Sequence, residues 1–94
     1  ARYQALHLPE ADGYSMISVA IDGALEVPRH QQNADKILYV LSGEMRLAGA
    51  PSPLRCGSGM FVPANAPVEL CTGPAGARYL EFRKQSHWAS QWMA

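Results

Sequence analysis

Lys36-Ile37-Leu38-Tyr39-Val40-Leu41-Ser42-Gly43-Glu44 decides how the rest of the chain is read. Branched, aromatic and leucine side chains run up to a Ser-Gly turn signal, and a second such run, 44–48, follows it. Those side chains suit a pleated, half-buried backbone, and glycine supplies the turn. The stretch reads as strand, turn, strand. Working outward, segments 15–22, 60–63, 67–72 and 78–83 are of the same kind, and eight Gly and seven Pro punctuate the 94 residues between them. Short strands at this spacing predict an all-β sandwich or barrel. Strands alternating with long helices are absent from the pattern, which argues against an α/β dinucleotide fold.

Alternation sharpens some of these segments. Val68 and Leu70 fall on one face of their strand and Glu69 on the other. In 78–83 the sets Arg78, Leu80, Phe82 and Tyr79, Glu81, Arg83 divide less cleanly, as in a strand touched on both sides. Segment 2–8 reads as an N-terminal strand. The tail carries the one helical hint: Ser86 can cap a short C-terminal helix with Trp88 and Trp92 one turn apart on one face. The whole of 1–94 reads as a single domain.

Composition narrows the function. Eight Lys+Arg balance eight Asp+Glu, so there is no electrostatic footprint for a nucleic-acid backbone. The longest apolar stretches are about half of what a membrane span needs. Cys56 and Cys71 lack zinc-ligand spacing and read as free thiols. No leader segment is read, and the default expectation is a cytoplasmic protein that binds neither membrane nor nucleic acid.

The opening stretch, together with Gly57-Ser-Gly-Met-Phe-Val-Pro63-Ala-Asn65-Ala-Pro67, resembles the two motifs of the cupin superfamily. The resemblance spans about half the chain. It implies a double-stranded β-helix, or jelly-roll barrel. In metal-binding members the motifs G-x5-H-x-H-x3,4-E-x6-G and G-x5-P-x-G-x2-H-x3-N supply three His and one Glu to a divalent metal. Laid from Gly23 to Gly43, the first motif puts Arg29 and Gln31 at the two His positions and Lys36 at the Glu. Shifted by one residue, it puts His30 and Gln32 there instead. The second motif keeps Gly57 and Pro63 but has Asn65 for the Gly, Val68 for the His and Thr72 for the Asn.

The departure predicts a barrel without metal or other cofactor. Arg is always protonated, and a protonated Lys is a poor ligand. A guanidinium and an ammonium instead suit a small anionic or carbonyl-bearing molecule. The expected ligand-binding residues are Arg29, Gln31, Lys36 and Val68, inside a wall of Leu38, Val40, Val68 and Leu70. In this register His30 is the outward neighbour of Arg29. His7 and His87 read as surface residues, and Tyr39 as an aromatic packed between strands.

Three functions compete. The first is a small-molecule-binding module; segments 38–44 and 61–67 also resemble the effector-binding domains of AraC-type regulators, although no helix-turn-helix follows. The second is a cofactor-free isomerase, cyclase or lyase in which a desolvated Lys36 serves as base or amine nucleophile, its pKa lowered further by Arg29. The third is a structural or self-assembly domain. Edge-strand pairing is common in the resembled family, so a homodimer is expected.

Overall fold

A computed structural model describes residues 2–9, 11–84 and 90–92. Eight strands carry the fold: β1 Arg2–His7, β2 Ser15–Asp22, β3 Glu26–Gln32, β4 Lys36–Leu47, β5 Leu54–Arg55, β6 Gly59–Val62, β7 Val68–Arg83 and β8 Ser90–Trp92. All named pairings are antiparallel. The described residues contain no helix, and so none long and apolar enough to cross a membrane.

The four segments read from sequence as 36–41, 44–48, 67–72 and 78–83 are two long strands. β4 and β7 pair along most of their lengths and bend together, because each carries glycine at positive φ where the chain turns a corner, Gly43 in β4 and Gly76 in β7. The bend divides the pairing into two sheets. The C-terminal half of β7 lies between β2 and the start of β4, with β1 and β6 outside them. Its N-terminal half lies between β3 and the end of β4, with β8 and β5 outside. This is a jelly-roll barrel.

The corner is tight. A Cβ on Gly43 would stand 2.3 Å from the Gly76 carbonyl oxygen, and a Cβ on Gly76 would stand 2.0 Å from that of Ile21. The core fills the space between the sheets. Ile17, Val19 and Ile21 of β2 meet Leu38, Val40 and Met45 of β4, Leu70 and Tyr79 of β7. Burying such side chains contributes about 1.5–3 kcal/mol each. Leu38 and Val40 are buried there as expected, but as core and not as cavity wall.

Three strands escaped the sequence reading: β3, β5 and β8. The helix expected in the tail is not found where the structure describes it, because Ser90–Trp92 is a strand whose backbone pairs with 30–32 of β3. An edge strand offers unpaired N–H and C=O groups, and an extended tail satisfies them where a helix does not. Ser86, His87 and Trp88 lie outside the described residues.

Candidate functional site

Strict alternation along β4 and β7 puts charge inside the barrel. Lys36 is two residues before Leu38 and four before Val40, so it shares their inward face. Glu81 and Arg83 share the inward face of Tyr79 in the same way. Register brings the three together: Lys36 stands opposite Arg83, Leu38 opposite Glu81 and Val40 opposite Tyr79. All three charged residues are buried, with Lys36 at 3%, Glu81 at 7% and Arg83 at 2% exposure. The Lys36 Nζ lies 3.6 Å from Glu81 Oε1, and the Arg83 guanidinium donates a short hydrogen bond to Glu81 Oε2. Two cations share this carboxylate, so the triad itself carries a formal charge of +1 when all three groups are ionised.

This triad borders a cavity of about 490 Å³. Its walls are apolar on one side, where Ile17, Leu25, Val27, Val68 and Leu70 contribute. His30, Gln32, Tyr79 and Tyr3 supply polar groups to the same space. The phenols of Tyr3 and Tyr79 hydrogen-bond each other; both pKa values are raised, first by burial and then by the Glu81 carboxylate. Tyr3, Ala5 and His7 come from β1, whose residues are all exposed. The cavity therefore reaches solvent beside an edge strand. His7, expected on the bare surface, is part of this rim.

The first-motif register needs correction. Arg29 is exposed and lies on the outside with Ala48, Pro67 and Glu69, and Gln31 is half-buried and outside the cavity lining. His30 and Gln32 are the buried, cavity-lining pair. The cause is a bulge. Val27 pairs with Leu70 and His30 with Val68, so three steps on β3 match two on β7. Pro28 sits inside that interval and has no N–H for the ladder. The extra residue turns the alternation over, moving Arg29 out and His30 in. The Pro28 carbonyl then accepts a hydrogen bond from His30 Nδ1 at 2.9 Å. In the neutral ring this leaves the lone pair on Nε2.

The loops hold the arrangement. Asn65 takes φ 64°, the left-handed conformation for which the resembled motif uses glycine and which Asn tolerates best among the other residues. Its N–H donates to the Gln32 carbonyl at 2.7 Å, and the Ala64 N–H donates to Asp35 Oδ1 at 2.7 Å. Both bonds pin the β3–β4 turn that carries Gln32 and Lys36. Thr72 is a clamp: its hydroxyl donates to the Gly23 carbonyl and accepts from the Leu25 N–H. Tyr39 points outward and is 41% exposed. Cys56 and Cys71 are free thiols, as expected.

The four positions that hold the metal in the resembled motif carry His30, Gln32, Lys36 and Val68. This set does not fit a divalent cation. It offers one imidazole, one carboxamide, an ammonium and a hydrocarbon, and the carboxylate beside them is held between two cations. Among the described residues no group of three or more His, Cys, Asp and Glu side chains could hold a metal ion.

Burial lowers the pKa of Lys36 below its ordinary 10.5; Glu81 pushes back, and Arg83 adds to the lowering. The Arg that perturbs Lys36 is therefore Arg83 and not Arg29. Between its folded-state value and 10.5 only the unfolded chain keeps the proton, so stability rises with pH across that window. Urea unfolding from pH 7 to 10 should show this rise in the wild type and lose it in Lys36→Met. Identical profiles for the two proteins would contradict it.

Sequence reading missed Glu81 and Arg83. The signal was there: a lysine placed inward calls for a buried carboxylate, and the Tyr-x-Glu-x-Arg parity offers one.

No family model matches the sequence, and no curated protein matches it. Solved structures do. The DMSP lyase DddQ from Ruegeria pomeroyi DSS-3 is 23% identical with a TM-score of 0.80, over 94% of this chain and 51% of that one. The polyketide cyclase RemF from Streptomyces resistomycificus is 20% identical with a TM-score of 0.84, over 98% and 71%. A cupin-like protein from Thermotoga maritima is 17% identical with a TM-score of 0.76, over 98% and 76%. This chain thus spans about half the length of the DMSP lyase.

Proposed function

The chain has the cupin fold, and from that premise we propose that its barrel binds a small molecule bearing a carboxylate or carbonyl group, without a metal ion. The observation that carries this reading is the buried Lys36–Glu81–Arg83 triad at the wall of an apolar cavity. A triad with two cations to one carboxylate favours an anion beside it in a low-dielectric interior, and a ligand with one negative charge adds a partner for Lys36 and Arg83. The hydrocarbon walls suit an apolar body behind that charged group. A dianion brings more negative charge than the triad's formal +1 and is disfavoured.

Thermal shift tests this directly. Benzoate and hexanoate, as apolar monocarboxylates, are expected to stabilise the protein saturably, by about 2.7 kcal/mol at a hundredfold excess over Kd. Their neutral alcohols and the dianions phthalate and adipate should bind more weakly. Lys36→Met should lose about tenfold or more in affinity, the worth of a charge-assisted hydrogen bond. No shift from any acid, or equal shifts from acids and alcohols, sinks the proposal. Protein purified with added iron, manganese, nickel and zinc should hold substoichiometric metal; one bound metal per chain overturns the metal-free part.

A second reading is favoured by the lowered pKa of Lys36. As a free amine, its Nζ can add to a ligand carbonyl carbon, with the Arg83 cation stabilising the developing alkoxide; both amine protons then leave with that oxygen as water, giving an imine. The fold's neighbours include lyases and a cyclase. Borohydride treatment with a bound aldehyde should then leave a covalent adduct at Lys36, visible by mass spectrometry and absent in Lys36→Met. Absence of the adduct in wild type returns the site to binding alone.

A further inference from the structure

Alternation on β1 carries a second polar group to the cavity. Tyr3, Ala5 and His7 line it, and the residues between them do not. Register places Tyr3 beside Ile21 of β2, and Ile21 beside Ala77 of β7, one inward step from Tyr79. The Tyr3 side chain closes that step, and the two phenols meet in a hydrogen bond. Along the inner face of β7 the order is then Tyr79, Glu81, Arg83, with Lys36 opposite Arg83. Phenols stand at one end of this polar strip and cations at the other. The hydrocarbon of Leu25, Val27, Val68 and Leu70 borders the same space.

A phenol has one proton to give. The mutual bond uses one O–H of the pair and leaves the other, and among the described residues neither Tyr3 nor Tyr79 makes a further hydrogen bond. Burial and the Glu81 carboxylate raise both pKa values, so the pair is neutral at pH 7 and acts as a donor. Tyr79 is 2% exposed and Tyr3 50%. The pair is thus fixed at its inner end and open at its outer one, where the cavity reaches solvent.

We propose that the Tyr3–Tyr79 pair is a second subsite of the cavity, which donates a hydrogen bond to a carbonyl or hydroxyl oxygen on the body of the ligand. This rests on the carboxylate reading above and narrows it: the ligand is an apolar monocarboxylate that also bears one neutral oxygen. Spacing sets where that oxygen stands. Successive inward residues lie about 7 Å apart along a strand. The Lys36 and Arg83 side chains gather at Glu81, one such step from Tyr79. An oxygen roughly 7 Å from the carboxylate, across an aromatic ring or a chain of similar length, spans the strip. A second carboxylate in its place is disfavoured, because neutral donors give a buried anion no counter-charge.

Two matched acids decide it. 4-Acetylbenzoate carries a ketone at this distance, and 4-isopropenylbenzoate has the same shape without the oxygen. Calorimetric titration of wild type and of the double variant Tyr3→Phe/Tyr79→Phe gives the ratio of their affinities in each protein. The ratio should fall about fivefold in the variant, the worth of one neutral hydrogen bond, while the hydrocarbon acid keeps its wild-type affinity. Where the variant folds poorly, wild type gives the same answer: the carbon-13-labelled ketone stretch of bound 4-acetylbenzoate should lie below its frequency in an aprotic solvent. With both acids bound, a ratio that the substitutions leave unchanged overturns the subsite and spares the carboxylate reading; the pair is then a latch that holds β1. An unshifted ketone stretch overturns it equally. If neither acid binds wild type, the carboxylate reading fails and the subsite falls with it.

Discussion

Glu81→Gln should cost about 3–5 kcal/mol of stability, the loss typical when one partner is removed from a buried ion pair. The side chain is almost isosteric, so packing is kept and the effect is electrostatic. Glu81 is the shared counter-ion of Lys36 and Arg83, and without its charge two cations face each other in the barrel. In a chain of this size the loss corresponds to a fall in Tm of at least about 12 °C. Two further measurements identify the cause. Lys36→Met should stay within about 1 kcal/mol of wild type, since it leaves the Glu81–Arg83 pair intact and removes a desolvated ammonium. The penalty of Glu81→Gln should also shrink as pH rises, because Lys36 already has a lowered pKa and can shed its proton. Equal losses for both substitutions would mean that the triad acts as packing and not as charge.

Gly76→Ala should be the most damaging single methyl in the chain, at roughly 3 kcal/mol or more. A left-handed conformation costs a non-glycine residue about 1–2 kcal/mol, and Gly76 has φ 70°. Its added Cβ would also meet the Ile21 carbonyl oxygen at 2.0 Å and the Gly23 nitrogen at 2.9 Å. Those are backbone atoms and cannot swing aside, so β2 and β7 must separate; overpacking of this kind adds about 1–3 kcal/mol. Gly57→Ala is the internal control. It has φ 86° and nothing within 4 Å of the new Cβ, so it should show the conformational cost alone. Urea midpoints for the two variants that agree within error would refute the close-contact argument.

Much of this architecture is legible without coordinates. Branched and aromatic runs between glycines and prolines dictate strands, and period two dictates that Lys36 faces inward with Leu38 and Val40. Val68 and Leu70 face inward for the same reason. These are local rules, set by backbone stereochemistry and by the transfer of apolar side chains out of water. They hold where a strand runs unbroken, as from Lys36 to Val40 and from Val68 to Leu70.

What local rules cannot supply is register between distant strands. The bulge at Pro28 exists only because β3 must pair with β7, forty residues away in sequence, and it exchanges Arg29 for His30 at the cavity. Glu81 and Arg83 become a site only when β7 is laid against β4 with Lys36 opposite Arg83. The tail pairs as a strand because β3 offers an open edge, whatever helix its own sequence allows. The sequence by itself determined a jelly-roll barrel and a lysine turned inward. The tertiary structure decided which charges meet that lysine, since a one-residue slip between strands reverses every side chain, and only long-range pairing says where the slip falls.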